Sequence, residues 1–378
     1  MSSKVGISQL ASTKTDATTD ATTTRPIISS ITRPPRLPVW PVFPGLLLSL
    51  LDLLKFPVSL SARLEDSTFG GRVSPMSFPK EQNTSPFIML VHHRHRFESW
   101  NVIVRKATEL LLPEGFPAHP HRGFETLTIC LKGGMTHRDS MGVKQRYGRG
   151  VESWVQWLKA GRGVLHEEFW ATGLSVDQEL YQIWIDSPKS LKMCEPDLKL
   201  LGDGRGIEAT SKGEGCEEVV IQRPWNDGGS ETSVRIIKLK RSSTQDGIYH
   251  ASIPPSHSTV ILYVKSGSGG GSNGVSINSS SFVPVHSYAI LQPGVVEFTV
   301  SLEKDGKGEA EILLLTGRPL GHNVVAAGSF VMNSEAEIQQ ANIDYSKGEM
   351  GRPWDHKISD EEWRREVADH WEKMERRN

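Results

Sequence analysis

The sequence predicts an all-β protein: two antiparallel β-barrels in tandem, with C-terminal helices. Three observations carry that prediction. Strands of period-two alternation are cut by glycine bends, the rhythm of an antiparallel barrel or jelly roll. The rhythm then repeats. Ser258-Thr-Val-Ile-Leu-Tyr-Val-Lys-Ser-Gly267 matches the pattern of Phe124-Glu-Thr-Leu-Thr-Ile-Cys-Leu-Lys-Gly133, and Tyr288-Ala-Ile-Leu-Gln-Pro-Gly294 that of Trp154-Val-Gln-Trp-Leu-Lys-Ala-Gly161. Glu311-Ile-Leu-Leu-Leu-Thr-Gly-Arg-Pro319 likewise answers Tyr181-Gln-Ile-Trp-Ile-Asp-Ser-Pro188. Finally, 35 Gly and 22 Pro among 378 residues supply turns rather than a helix bundle.

That length accommodates two domains, or one large one with tails. A hydrophobic content of 37% and a charged content of 23% describe a soluble globular protein. With a formal net charge of -1 there is no electrostatic reason to expect nucleic acid or a membrane surface as a partner, and a monomer is expected. Cys130, Cys194 and Cys216 lack metal-type spacing and read as reduced thiols of an intracellular protein, with Cys130 a small core residue.

Residues 1–68 are expected to form a disordered, low-complexity tail with one short apolar stretch. The run Thr15-Asp-Ala-Thr-Thr-Asp-Ala-Thr-Thr-Thr24 cannot offset the entropy of ordering. Asp16 and Asp20 argue against a transit peptide, and organelle targeting by the tail stays open. Leu46 to Leu54 contains Asp52 and is flanked by Pro44, Lys55 and Pro57, too interrupted for a membrane span. Residues 69–202 form the first expected barrel. Ser85 to Val91 reads as a strand, and His92-His-Arg-His-Arg96 as an exposed basic loop before an amphipathic Val102 to Leu112. Glu125, Leu127, Ile129 and Leu131 alternate with Thr126, Thr128 and Cys130 up to the Gly133-Gly134 turn, and His137 beyond it reads as a surface residue. Residues 203–230 read as a polar connection, 231–350 as the second barrel and 351–378 as an amphipathic helix. Ser334 with Glu337 predicts a capping box, a stripe of Ile338, Ala341 and Tyr345, and a stop at Gly348. Ser359 with Glu362 predicts another, whose helix packs Trp363, Val367, His370, Trp371 and Met374 against the body.

The chemistry gathers in two stretches of the first barrel. Pro120 holds His119 and His121 in an extended segment, so both imidazoles point to one side, roughly 6.5–7 Å apart at Cα. His166 and Glu168 repeat that geometry beside the Gly161-Arg-Gly163 bend, with Glu167 facing the other way. On neighbouring strands the four would converge on one borderline divalent ion, with iron, manganese, nickel, copper and zinc all compatible by ligand type. The second barrel has His257 and His286 but no H-x-H or H-x-E, and is expected to hold no metal.

Phe116-Pro-Ala-His-Pro-His-Arg-Gly-Phe-Glu-Thr126 and Ala160-Gly-Arg-Gly-Val-Leu-His-Glu-Glu168 resemble the pirin family of bicupin proteins. Leu191-Lys-Met-Cys-Glu-Pro196 and Gly328-Ser-Phe-Val-Met-Asn-Ser-Glu-Ala-Glu-Ile338 add to the resemblance, which covers roughly residues 70–350. It implies two cupin barrels, with His119, His121, His166 and Glu168 holding one Fe(2+) or another divalent ion in the first. It also implies two functions. One is a quercetin 2,3-dioxygenase acting on a flavonol-like substrate, with Glu168 as catalytic base. The other is a redox-sensing transcriptional co-regulator with a transcription-related protein partner, located in the nucleus or cytoplasm. A structural reading makes the metal a staple for the barrel. Departures from the family pattern fall at Ala118, where Asp is common, at Phe169, where Met is common, at Ser153-Trp154 and the lead to it from Tyr147, and in the longer Val91 to Leu112 connection; they bear on the pocket mouth and so on substrate choice. Four protein ligands leave about two octahedral positions for substrate and oxygen, which favours the enzyme.

Overall fold

The computed structural model describes residues 27–38, 71–78, 84–97, 115–175, 177–213, 215–241, 247–266, 274–302 and 308–376. The apolar stretch Leu46 to Leu54 and the Val102 to Leu112 segment lie outside these residues. Strands dominate, joined among the described residues by two α-helices, Glu335–Lys347 and Asp360–Glu375. No described helix is long and apolar enough to cross a membrane.

The repeat read in the sequence is a repeat of topology. In the first half, Val155–Lys159, Phe124–Lys132, Asp177–Asp186 and Phe87–Arg96 are neighbours in that order; in the second, Ser287–Leu291, Thr259–Ser266, Gly308–Gly317 and Thr232–Arg241 follow the same order. Each half closes with a four-stranded sheet. Gly115–His121, Val164–Trp170, Gly134–Asp139 and Lys144–Gly148 correspond to Ile248–Ser252, Glu297–Leu302, Gly274–Ile277 and Ser281–Pro284. Alternation sends one face of each large-sheet strand into its own barrel and the other towards the opposite half. Tyr181, Ile183 and Ile185 therefore share a core with Ile236, Ile261, Tyr263 and Leu313 between the halves. Leu180 and Cys130 line the first barrel instead, and Ile237, Leu262 and Leu314 the second.

Three expectations are corrected. Residues 203–230 are not merely a polar connection: Gly206–Gly213 and Cys216–Ile221 are strands that carry one 14-stranded sheet through both halves. Their apolar alternation is sparse, but Ile207, Val219 and Ile221 enter the shared core. Nor is all of residues 1–68 a featureless tail. Ile28–Thr32 pairs with the second-half strand Ser287–Leu291, and Leu37–Pro38 with first-half strand Gly71–Ser77. This short segment satisfies edge backbone groups of both halves.

The third correction concerns His92 to Arg96, which continues the strand Phe87–Arg96 instead of forming an exposed loop. Strands Gly71–Ser77 and Asp177–Asp186 flank it on both sides, and its three histidines are buried. His92 faces the second half: Tyr263 donates to its Nδ1 at 2.9 Å, and its Nε2 donates to Glu179 at 2.9 Å. His93 and His95 face the first barrel's interior, against Phe116 and Trp170. Burial lowers His92 to about 4 and His93 to about 3.

The helices obey their end signals, with one variation. Ser334 accepts from the Glu337 N–H, but the Glu337 carboxylate reaches back to the Asn333 N–H at 2.7 Å, one residue before the cap. Gly348 ends that helix with φ +84°. Ser359 and Glu362 make the complete reciprocal box, and Trp363 is fully buried.

Candidate metal centre

Two adjacent strands build the site. Gly115–His121 and Val164–Trp170 run antiparallel, with His119 opposite His166 and His121 opposite Val164. The bend after His121 needs glycine: Gly123 has φ +82°, and a Cβ there would lie 2.1 Å from the Val331 carbonyl oxygen. Arg122, buried beneath it, donates to the Arg162 carbonyl at 2.5 Å and to Asp344 at 2.6 Å. It ties both histidine-bearing bends to the first C-terminal helix, a role for which its motif carried no signal.

Imidazoles of His119, His121 and His166 converge as the sequence predicts, with ring centroids 4.5–4.7 Å apart. Their ligand nitrogens lie within 4.8 Å of one another. The His119 Nδ1 donates to the Pro117 carbonyl at 2.8 Å, which leaves Nε2 as its lone-pair nitrogen. That Nε2 stands 3.1 Å from His166 Nε2, while His166 Nδ1 is buried without a partner. Burial is the main reason all three are held below the usual histidine range, and neighbouring imidazoles lower His121 and His166 further. Neutral, buried, nitrogen-rich and incompletely hydrogen-bonded, this cluster fits a borderline divalent cation.

Glu168 reaches the same interior from the next inward position. Tyr147 donates to its Oε1 at 2.7 Å and Gln182 to its Oε2 at 3.0 Å. Burial and the Glu168 charge raise the Tyr147 phenol well above its usual value, so it stays a donor. Glu168 groups with His166 and with a fourth imidazole, His137, whose ligand atoms again lie within 4.8 Å of one another. His137 is therefore no surface residue. It is fully buried because its strand, Gly134–Asp139, pairs with Val164–Trp170 and sets it opposite Glu168. Phe124 and Trp184 form an aromatic wall beside His121, at 5.1 and 5.4 Å. Tyr147, Gln182 and Trp184 escaped the sequence reading, since nothing local marks a strand residue as facing a site.

Glu167 does point away from the cluster, but not to water. It is 1% exposed and ion-paired with Arg138. Arg138 also donates to the Ile358 and His356 carbonyls, each at 3.1 Å, so the C-terminal segment covers this face. Phe169 shares that outward side and stacks on His356, 5.6 Å between centroids. Ala118 packs among Phe330, Ile338 and Trp354. Trp154 donates to Asp203 at 3.1 Å beneath the Arg149 guanidinium. At these three departures the side chains are engaged in packing or a hydrogen bond.

In the second barrel, His257 pairs with Thr316 at 2.9 Å, and Arg72 donates to His286 Nδ1 at 2.7 Å. Among the described residues, both groups of three metal-type ligands lie in the first barrel.

Comparison with known proteins finds matches for both halves. The Pirin family model matches residues 71–185, and the model of the pirin C-terminal cupin domain matches 244–351. Pirin-like protein 2 of Arabidopsis thaliana is 34% identical over 239 residues, 63% of this chain and 72% of that protein. Rat (Rattus norvegicus) Pirin is 32% identical over 258 residues, covering 66% and 83%. Among solved structures, a quercetin 2,3-dioxygenase from Acinetobacter baumannii has a TM-score of 0.60 and 28% identity, covering 75% of this chain and 92% of its own. Two cupin-type halves in the matching order, with relatives above 30% identity along most of their length, make this chain a member of the pirin family.

Proposed function

We propose that the protein is a metal-dependent dioxygenase opening a flavonol such as quercetin, with His119, His121, His166 and Glu168 as ligands of one Fe(2+). The observation that carries this reading is the cluster of His119, His121 and His166, joined through His166 to Glu168 and set beside an aromatic wall. The same donors also suit manganese, nickel, copper or zinc. A divalent ion there supplies Lewis acidity towards the substrate hydroxyl and leaves coordination positions open. The protein's own part is to orient and to move a proton. Phe124 and Trp184 give a planar ring system something to stack on. Glu168 takes the hydroxyl proton at Oε2, the oxygen held only by the neutral amide of Gln182, while the Tyr147 phenol fixes Oε1. The similarity to the Acinetobacter enzyme supports the substrate class.

The test is elemental analysis of protein purified from its own source, followed by aerobic quercetin consumption. One ion per chain and turnover are expected, both lost in a His119→Ala, His121→Ala double variant. Retention of the ion by that variant refutes the ligand set. Metal uptake without quercetin consumption favours the redox-sensing regulator instead.

A further inference from the structure

The geometry points to His137 as an additional metal ligand, held ready by Asp139. This rests on the metal reading above and adds a fifth donor to it. Four observations combine. His137 is fully buried, and a ring nitrogen lies within 4.8 Å of the ligand atoms of His166 and Glu168. Its Nε2 donates to Asp139 Oδ2 at 3.0 Å, and a carboxylate only accepts, so in the neutral ring the lone pair sits on Nδ1. That Nδ1 has no hydrogen-bond partner. Glu168, directly across the strand pair, accepts from Tyr147 and Gln182 and makes no hydrogen bond to that Nδ1.

A ligating imidazole normally donates its other nitrogen to a carboxylate or carbonyl, which fixes tautomer and ring orientation. In this cluster His119 has the carbonyl of Pro117, and His137 has a carboxylate. Asp139 is itself immobilised: its Oδ1 accepts the Met141 and Val143 N–H groups at 2.9 and 3.0 Å. The Thr136-His-Arg-Asp139 segment thus presents an oriented lone pair to the same interior as the H-x-H and H-x-E pairs. His137 would add an imidazole beside Glu168 as a further donor to an ion held there.

Asp139→Asn gives a test that leaves the imidazole in place. The backbone N–H groups of Met141 and Val143 hold the amide oxygen of Asn on their side. Its NH2 then faces His137 Nε2, which must become the acceptor, and the proton moves to Nδ1. The probe is Cu(II) alone on the full chain, with coordinated imidazoles counted by pulsed electron paramagnetic resonance and affinity measured by competition. His137→Phe and Asp139→Asn should each lose one coordinated imidazole and weaken Cu(II) binding by about tenfold or more, with folding checked by circular dichroism. An unchanged imidazole count in both variants, with His119→Ala still losing one, overturns the assignment of His137 alone. No Cu(II) uptake by the wild-type protein overturns it together with the metal reading.

Discussion

The two halves of this molecule share strand order and differ in what their corresponding walls carry. Gly115–His121 and Val164–Trp170 turn His119, His121, His166 and Glu168 inward. The corresponding pair, Ile248–Ser252 and Glu297–Leu302, presents Tyr249, Ala251, Phe298 and Val300 to an apolar core with Val275 and Ile277. The alternation that makes the barrel is indifferent to this exchange, since it asks only that alternate residues leave water. Chemistry costs the first half something the second does not bear: buried imidazoles and carboxylates that need partners from each other or from an ion. One half is a site with a fold around it, the other a core that completes the sheet.

The largest expected contrast lies within one dipeptide. Glu168→Gln keeps volume but removes the charge and the basic oxygen, and should reduce quercetin turnover by about 100-fold or more, within the range for a general base. Glu167→Gln should leave metal stoichiometry intact at saturating ion, yet cost on the order of 1.5–3 kcal/mol, because the buried Arg138 guanidinium loses its nearer charge partner and keeps only Asp360 at 3.5 Å. Turnover and urea midpoints for both variants check this. Equal, mild effects in the two would sink the division of faces.

Acidification should damage the first half through its own histidines. His92 holds a folded value near 4 against an ordinary 6.5, because burial outweighs the bond to Glu179. Between those values the unfolded chain binds the proton and the folded chain does not. Stability therefore rises with pH across that window and is lost as pH falls through it, on the order of 3 kcal/mol for this residue. Urea midpoints between pH 4 and 7.5 should slope upward, and His92→Gln should remove part of the slope. Superimposable slopes for variant and wild type would rule out His92 as a contributor.

What was legible follows from range. Pro120 and the glycine bends declare the direction of His119, His121, His166 and Glu168 within a few residues, and the paired glycines mark where the barrel repeats. His92 to Arg96 misleads because five basic side chains look like a loop. Tyr263, 171 positions away, with Glu179 and strands on both flanks, accounts for the burial of the histidines among them. His137 hides the same way beside a charged neighbour, since Arg138 pairs with a glutamate 29 residues on and the segment around Ile358 lies over both. Ile28–Thr32, Leu37–Pro38, Gly206–Gly213 and Cys216–Ile221 carry too little apolar pattern to declare themselves. They are strands because edges elsewhere needed partners.

The smallest effect is expected where the second half imitates the first in composition alone. His257 and His286 are buried histidines, but each has a partner that has nothing to do with a metal: Thr316 for one, and Arg72 for the other. His286 also meets the first half through that arginine, so it joins the two halves rather than lining a cavity. Removing both rings in a His257→Ala, His286→Ala variant should leave metal content and turnover unchanged. It should cost about 2 kcal/mol, the sum of two modest buried hydrogen bonds. The readouts are metal per chain, aerobic quercetin consumption and thermal midpoint. Loss of turnover with the ion still bound and the fold intact would mean that the apolar barrel takes part in the reaction, and the contrast between the halves would have to be redrawn.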